Sequence, residues 1–162
     1  MTTYRDESWQ GASPGTSGMQ PRVLHLLRRL GRNAGGVPTS NPIFVRTARE
    51  IDLKGREHEL ADACWAFHER VIDLLNIKVV LCFGRTSGDW VRRKLGADEH
   101  VETFIENNAR RWASHAFRNP SGTAVVIATH PSVAAWNTPA ADPTHLVEHL
   151  LASSATVDKR PR

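Results

Sequence analysis

Apolar positions along the chain fall into two kinds of pattern. Two runs are almost continuously apolar: Lys78 to Phe83, closed by Gly84, and Thr123 to Thr129, which ends in His130-Pro131-Ser132. Runs of this length, rich in β-branched residues and bounded by turn residues, predict buried strands. Ile43 to Val45 has room only for a short strand, with Asn41-Pro42 at its edge. Elsewhere the apolar residues recur every three or four positions. Val23, Leu26, Leu27 and Leu30 predict a helix over 20–30, with Arg22, Arg28, Arg29 and Arg32 on its other face and Thr16 or Ser17 as its cap. Leu60, Cys64, Phe67, Val71, Leu74 and Leu75 predict the longest helix, over 57–76. A short helix carries Trp90 and Val91. Val101, Phe104, Ile105, Asn108, Trp112 and Phe117 predict another over 98–117, with Arg110, Arg111 and His115 on its wet side. Asp142-Pro143 opens a last helix whose buried side is Leu146, Val147, Leu150 and Leu151.

Strands that alternate with helices predict an α/β fold, a three-layer sandwich with a mainly parallel central sheet flanked by helices. Three clear strands are few for such a sheet, so the first strand is expected to be missing, or reduced to residues near Thr2 to Glu7. The chain of 162 residues, 40% hydrophobic and 7% aromatic, is long enough for one core. The expectation is a single domain over 1–152 and a disordered basic tail over 153–162. The N-terminal stretch 1–18 is polar and turn-rich, which suits a mobile terminus or a loop that approaches a ligand.

Charge and cysteine content narrow the chemistry. A net charge of +4 allows a polyanionic partner without requiring one. Cys64 and Cys82 sit in apolar surroundings without paired-ligand spacing and read as reduced core thiols. No metal and no cofactor are expected: there is no G-x-G-x-x-G or Walker loop, and His68 reads as a helix-surface or core-edge histidine rather than a metal ligand. With no transmembrane run and no apolar signal core, the expectation is a soluble, cytoplasmic monomer.

His130 is the leading chemical candidate, because the loop leaving the carboxyl end of a strand is where open α/β sheets bind ligands. A loop histidine bonded to backbone is the alternative reading. Asn41 reads as a turn residue or a ligand contact. Gly84, at a strand-to-helix junction, allows either close ligand approach or tight packing. A small hydrolase using Ser132 or Ser87 lacks a G-x-S-x-G elbow.

In order, a Gly11-Ala12-Ser13-Pro14-Gly15 loop ahead of a helix, Asn41-Pro42-Ile43-Phe44, the strand ending in Gly84, and the strand ending in His130-Pro131-Ser132 resemble the uracil-DNA glycosylase superfamily, over roughly Asp6 to Leu151. The resemblance implies excision of uracil or another damaged base from DNA. His130 would stabilise the departing base anion, and Asn41 would read the edge of a flipped-out base. The Gly11, Ser13, Pro14 and Gly15 loop would lie beside the sugar. Ser132, Gly84, Arg85 and Trp136 would contact DNA. Ala12 stands where the superfamily carries the residue that positions water, so Asp6 or Glu7 is the candidate substitute. One cysteine, Cys64, falls at a place used by the iron–sulfur branch, which needs four, so no cluster is implied. The large apolar wedge that some members insert into DNA is missing after His-Pro-Ser, where Val133-Ala134-Ala135 stand. A catalytically inactive relative that binds DNA or a protein partner is the alternative.

Overall fold

The run Ala124–Ala128 becomes a strand that is buried at every position. Its neighbours explain why. Numbered in chain order, the strands are β1 (Val79–Phe83), β2 (Glu99–Ile105), β3 (Ala113–Arg118) and β4 (Ala124–Ala128), and they form a four-stranded sheet in the order β1-β4-β3-β2. β4 runs parallel to β1 and antiparallel to β3, while β2 and β3 pair antiparallel. The fold is α/β as expected, but its sheet is mixed rather than mainly parallel. These statements rest on a computed structural model that describes residues 2–45 and 50–157. The chain divides into two compact units, Met1–Val37 with Lys78–Arg162, and Pro38–Ile77.

The larger unit holds the sheet, α1 (Gln20–Arg29), α3 (Arg85–Lys94) and α4 (Thr144–Val157). Successive strand residues point to opposite faces. Ala124, Val126 and Ala128 join Val23, Leu26 and Leu27 of α1 and Leu146, Val147 and Leu150 of α4 in one core, with Trp136 among them. Ile127 points the other way, toward α3. A Cβ on Gly88 would stand 2.5 Å from the Ile127 Cγ2, so only glycine lets this helix approach so closely. Asp142 caps α4 by accepting from the Thr144 N–H at 2.9 Å. The helix then continues to Val157, past the expected start of the tail. Residues 158–162 lie outside the described residues.

Four expectations fail. Residues 98–117 are not a helix but β2, a connecting loop and β3. The register shifts between His100 and Glu102, leaving Val101 as an extra residue. This bulge lets Val101 and Phe104, three apart, both pack on the core, which imitates helical spacing. Ile43 to Val45 forms no strand. The segment 2–19 is no loose terminus either. The buried Gln20 donates its side-chain amide to the carbonyls of Thr3 (2.9 Å) and Glu7 (2.8 Å). Neither Thr16 nor Ser17 caps α1 through its side chain; the N-cap is Met19, with Pro21 in the first turn.

The smaller unit carries α2 (Glu57–Leu74). Along it Phe67 and Leu74, and just beyond it Leu75, are more than half exposed, so the apolar stripe is not wholly buried. His68 ties the preceding loop to this helix. Its Nε2 donates to the Pro42 carbonyl at 3.1 Å, which leaves Nδ1 to accept from the Ser40 hydroxyl at 3.3 Å.

Both cysteines are free thiols, but only Cys82 is fully buried. Burial pushes its thiol up to about 12. Iodoacetamide at mildly alkaline pH will therefore label Cys64 in the native protein and spare Cys82. Both will be labelled after denaturation, which mass spectrometry of the digested chain reads directly.

Candidate active site at the carboxyl ends of β1 and β4

The parallel pairing of β1 with β4 brings Gly84 and His130 together, because both follow the carboxyl ends of paired strands. Gly84 has φ +87°, and a Cβ there would meet the His130 ring carbon Cδ2 at 3.5 Å. The glycine thus serves both the positive φ of the junction and the close approach of the ring.

The His130 loop is held at nearly every backbone group. The Ser114 hydroxyl accepts from the Thr129 N–H at 3.0 Å, and the Trp136 indole N–H donates to the Thr129 carbonyl at 3.0 Å. Arg22 of α1 donates to the Pro131 carbonyl, and Arg110 donates to the Val133 carbonyl at 2.6 Å. The His130 carbonyl itself accepts from the N–H groups of Val133 and Ala134, each at 3.0 Å. Such pinning fixes a side chain in advance of any ligand.

The same loop fixes the tautomer. The Ser132 backbone N–H, which can only donate, lies 3.1 Å from His130 Nδ1, and the Ser132 hydroxyl lies 2.7 Å from it. Nδ1 is therefore an acceptor, and in the neutral ring the proton sits on Nε2.

His130 and Gly84 open on a groove of about 790 Å³ along the α3 side of the sheet. Arg85 and Asp89 of α3 border it, with Nε of Arg85 3.3 Å from a carboxylate oxygen of Asp89. β2 and β3 supply His100, Thr103, His115 and Phe117. One Thr103 hydroxyl bridges His100 Nε2 (2.8 Å) and His115 Nδ1 (2.9 Å). Burial, with the nearby charges of His100 and Arg85, pushes the His115 pKa below its ordinary value, so its ring is neutral at physiological pH. Arg92 stacks over Phe117 with its guanidinium carbon 4.8 Å from the ring centre. The connection between β2 and β3 places Trp112 on the groove wall.

The segment carrying Asp6 and Glu7 reaches the same end of the sheet through a chain of rings: Tyr4 packs on Phe83 at 6.4 Å and Phe83 on His130 at 6.2 Å. Asp6 accepts from Arg5 Nε at 2.7 Å and from the Thr2 N–H at 2.6 Å. The Arg5 hydrogen bond above all, helped by Thr2, lowers its carboxyl to about 2. Glu7 accepts from the Thr3 hydroxyl at 3.2 Å. Gly11 and Gly15 both take positive φ, and Gly15 packs under Leu24, where a Cβ would meet the Leu24 Cδ1 at 3.1 Å. Ser13 accepts from Thr16 through its carbonyl, and Pro14 is exposed between them.

Of the sequence candidates, the structure brings His130, Ser132, Gly84 and Arg85 to one place. Asn41 belongs to the smaller unit, on the loop bonded by His68. Trp136 is fully buried, which makes it a core residue rather than a surface contact. Sequence reasoning passed over His100, Thr103 and Trp112, because a helical reading of 98–117 scatters residues that a hairpin collects on one face. Among the described residues no group of three or more His, Cys, Asp or Glu side chains is placed to hold a metal ion, and no helix is long and apolar enough to cross a membrane. Compared with family models, with curated proteins and with solved structures, the chain matches none.

Proposed function

We propose that this chain is a uracil-DNA glycosylase-like domain that hydrolyses the N-glycosidic bond of uracil or another damaged base in DNA. One observation carries the reading. A histidine at a strand's carboxyl end lines the groove and is pinned, with Nδ1 accepting from the Ser132 N–H, so that the neutral ring carries its proton on Nε2. Cleavage of the glycosidic bond sends its electron pair onto the base and leaves an oxocarbenium-like sugar. A neutral imidazole N–H held near the base oxygen stabilises the anion as it forms. Water then adds to the sugar carbon, and its proton passes to the departed base anion, which leaves as the neutral base. Here a carboxylate as acidic as Asp6 orients water rather than taking its proton. In this reading the Gly11–Gly15 loop lies beside the sugar, and Ser132 and Arg85 contact the DNA backbone. The base reaches the site only outside the stack.

The second reading is a catalytically inactive relative that binds DNA or a protein. It is favoured by Ala12 at the water-positioning place and by the engagement of Asp6 with Arg5 and Thr2. Excision from a uracil-containing oligonucleotide decides between them. The expected result is abasic-site formation that falls about a hundredfold in His130→Ala with the thermal midpoint unchanged. Folded wild-type protein that releases no base would leave the binding-only reading.

A further inference from the structure

We infer that Trp112 is a stacking platform for a nucleobase of single-stranded DNA held in the His130 groove. The inference rests on nucleic acid being the ligand of that groove and adds the strand state and the residue that grips it.

Trp112, in the connection between β2 and β3, is 42% exposed. It is nevertheless held firmly. The Arg110 guanidinium lies 4.3 Å from the ring centre. Arg110 is anchored twice, to the Glu106 carboxylate at 3.1 Å and to the Val133 carbonyl at 2.6 Å. Glu106 is 1% exposed and also accepts from the Asn108 side chain at 2.7 Å, and its N–H donates to the Trp112 carbonyl at 2.8 Å. Its second carboxylate oxygen is buried without a hydrogen-bond partner, a cost to folding that the clamp on Arg110 offsets only in part. A buried carboxylate, an arginine and a backbone carbonyl are thus spent on fixing one exposed ring.

The clamp has a second end. The Val133 carbonyl that anchors Arg110 belongs to the turn whose N–H groups bond the His130 carbonyl, so one bridge sets Trp112 and His130 together on the same groove. Beside Trp112, Val133 is 50% exposed, which widens the apolar rim. Charge is compatible with an anionic strand: Arg85 lines the groove, Arg110 borders it through Trp112 and Val133, and the acidic lining residue, Asp89, is paired with Arg85. An open aromatic face with arginines around it suits a strand with π-faced bases and an anionic backbone. A duplex keeps those faces stacked, so a single strand or an unpaired base is the better ligand.

The test is fluorescence anisotropy with a labelled, uracil-free single-stranded oligonucleotide and its duplex, measured on wild type, Trp112→Ala and Trp112→Phe. The single strand should bind more tightly than the duplex. Trp112→Ala should weaken it about tenfold or more, and Trp112→Phe should restore most of the loss. The exposed ring leaves the fold intact, so the thermal midpoint of Trp112→Ala should stay near that of wild type. Unchanged binding in Trp112→Ala overturns the inference, even where uracil is excised. Wild-type protein that binds neither oligonucleotide also overturns it and turns the groove toward a peptide ligand. Binding that depends on Trp112 without base excision supports it and removes the glycosylase reading alone.

Discussion

Trp136→Ala is expected to destabilise the protein by about 3–5 kcal/mol, a large part of what holds a domain of this size together. The indole is the largest fully buried side chain. It packs edge-on against Phe83 at 5.2 Å, and its N–H donates to the Thr129 carbonyl. Truncation removes the ring contacts, leaves a cavity in the core shared by α1, α4 and the sheet, and strips that carbonyl of its donor. Trp136→Phe refills most of the space but not the hydrogen bond, so its cost should be about 1–3 kcal/mol. Urea unfolding of the two variants reads both numbers. Equal costs would mean that the bond to Thr129, not the packing, dominates.

Asp142→Ala should cost about 1–3 kcal/mol, because it leaves the buried Thr144 donors without their acceptor, while Arg29 and His25 can still reach water. The carboxylate is buried at the start of α4. It accepts from the Thr144 N–H and hydroxyl, from Arg29 Nη1 at 2.6 Å and from His25 Nε2 at 3.1 Å, so one side chain caps α4 and ties it to α1. Burial by itself raises the Asp142 pKa, but the bonds from Thr144, Arg29 and His25 outweigh it and hold the carboxyl below its ordinary range. A group with a depressed folded pKa stabilises the fold fully above its unfolded pKa, near 4, and loses that contribution as pH falls through the folded value. Asp142→Asn keeps the shape and drops the charge. Its stability deficit in urea should be largest at neutral pH and shrink in acid. A deficit that does not change with pH would exclude the carboxylate charge as its source.

The parts of this molecule that were legible in its sequence are those where one physical demand acts alone. Val125 to Ile127 must be buried on both faces, so they read as a strand, and the helical spacing of Val23, Leu26 and Leu27 reads as α1 because that helix presents one stripe to the core. β2 was illegible because two demands overlap: the bulge at Val101 bends the strand while its next residues must serve both the core and the groove. The candidate site follows the same rule. His130 was legible because a short loop fixes it to a strand end. Trp112 was not, because its place depends on Glu106, Arg110 and Val133 meeting across a long interval, and no local pattern encodes that meeting.

The topology also orders events in time. β2, β3 and β4 follow one another as an antiparallel meander and pair over short loops, whereas β1 must wait for α3 and the whole meander before Val79 can pair with Ala124. Ladders that close long loops form late. Gly84 and His130 meet only when that ladder closes, so the end of the groove that carries His130 is assembled after the meander. A chain arrested before it would keep most of its antiparallel sheet and lack the site.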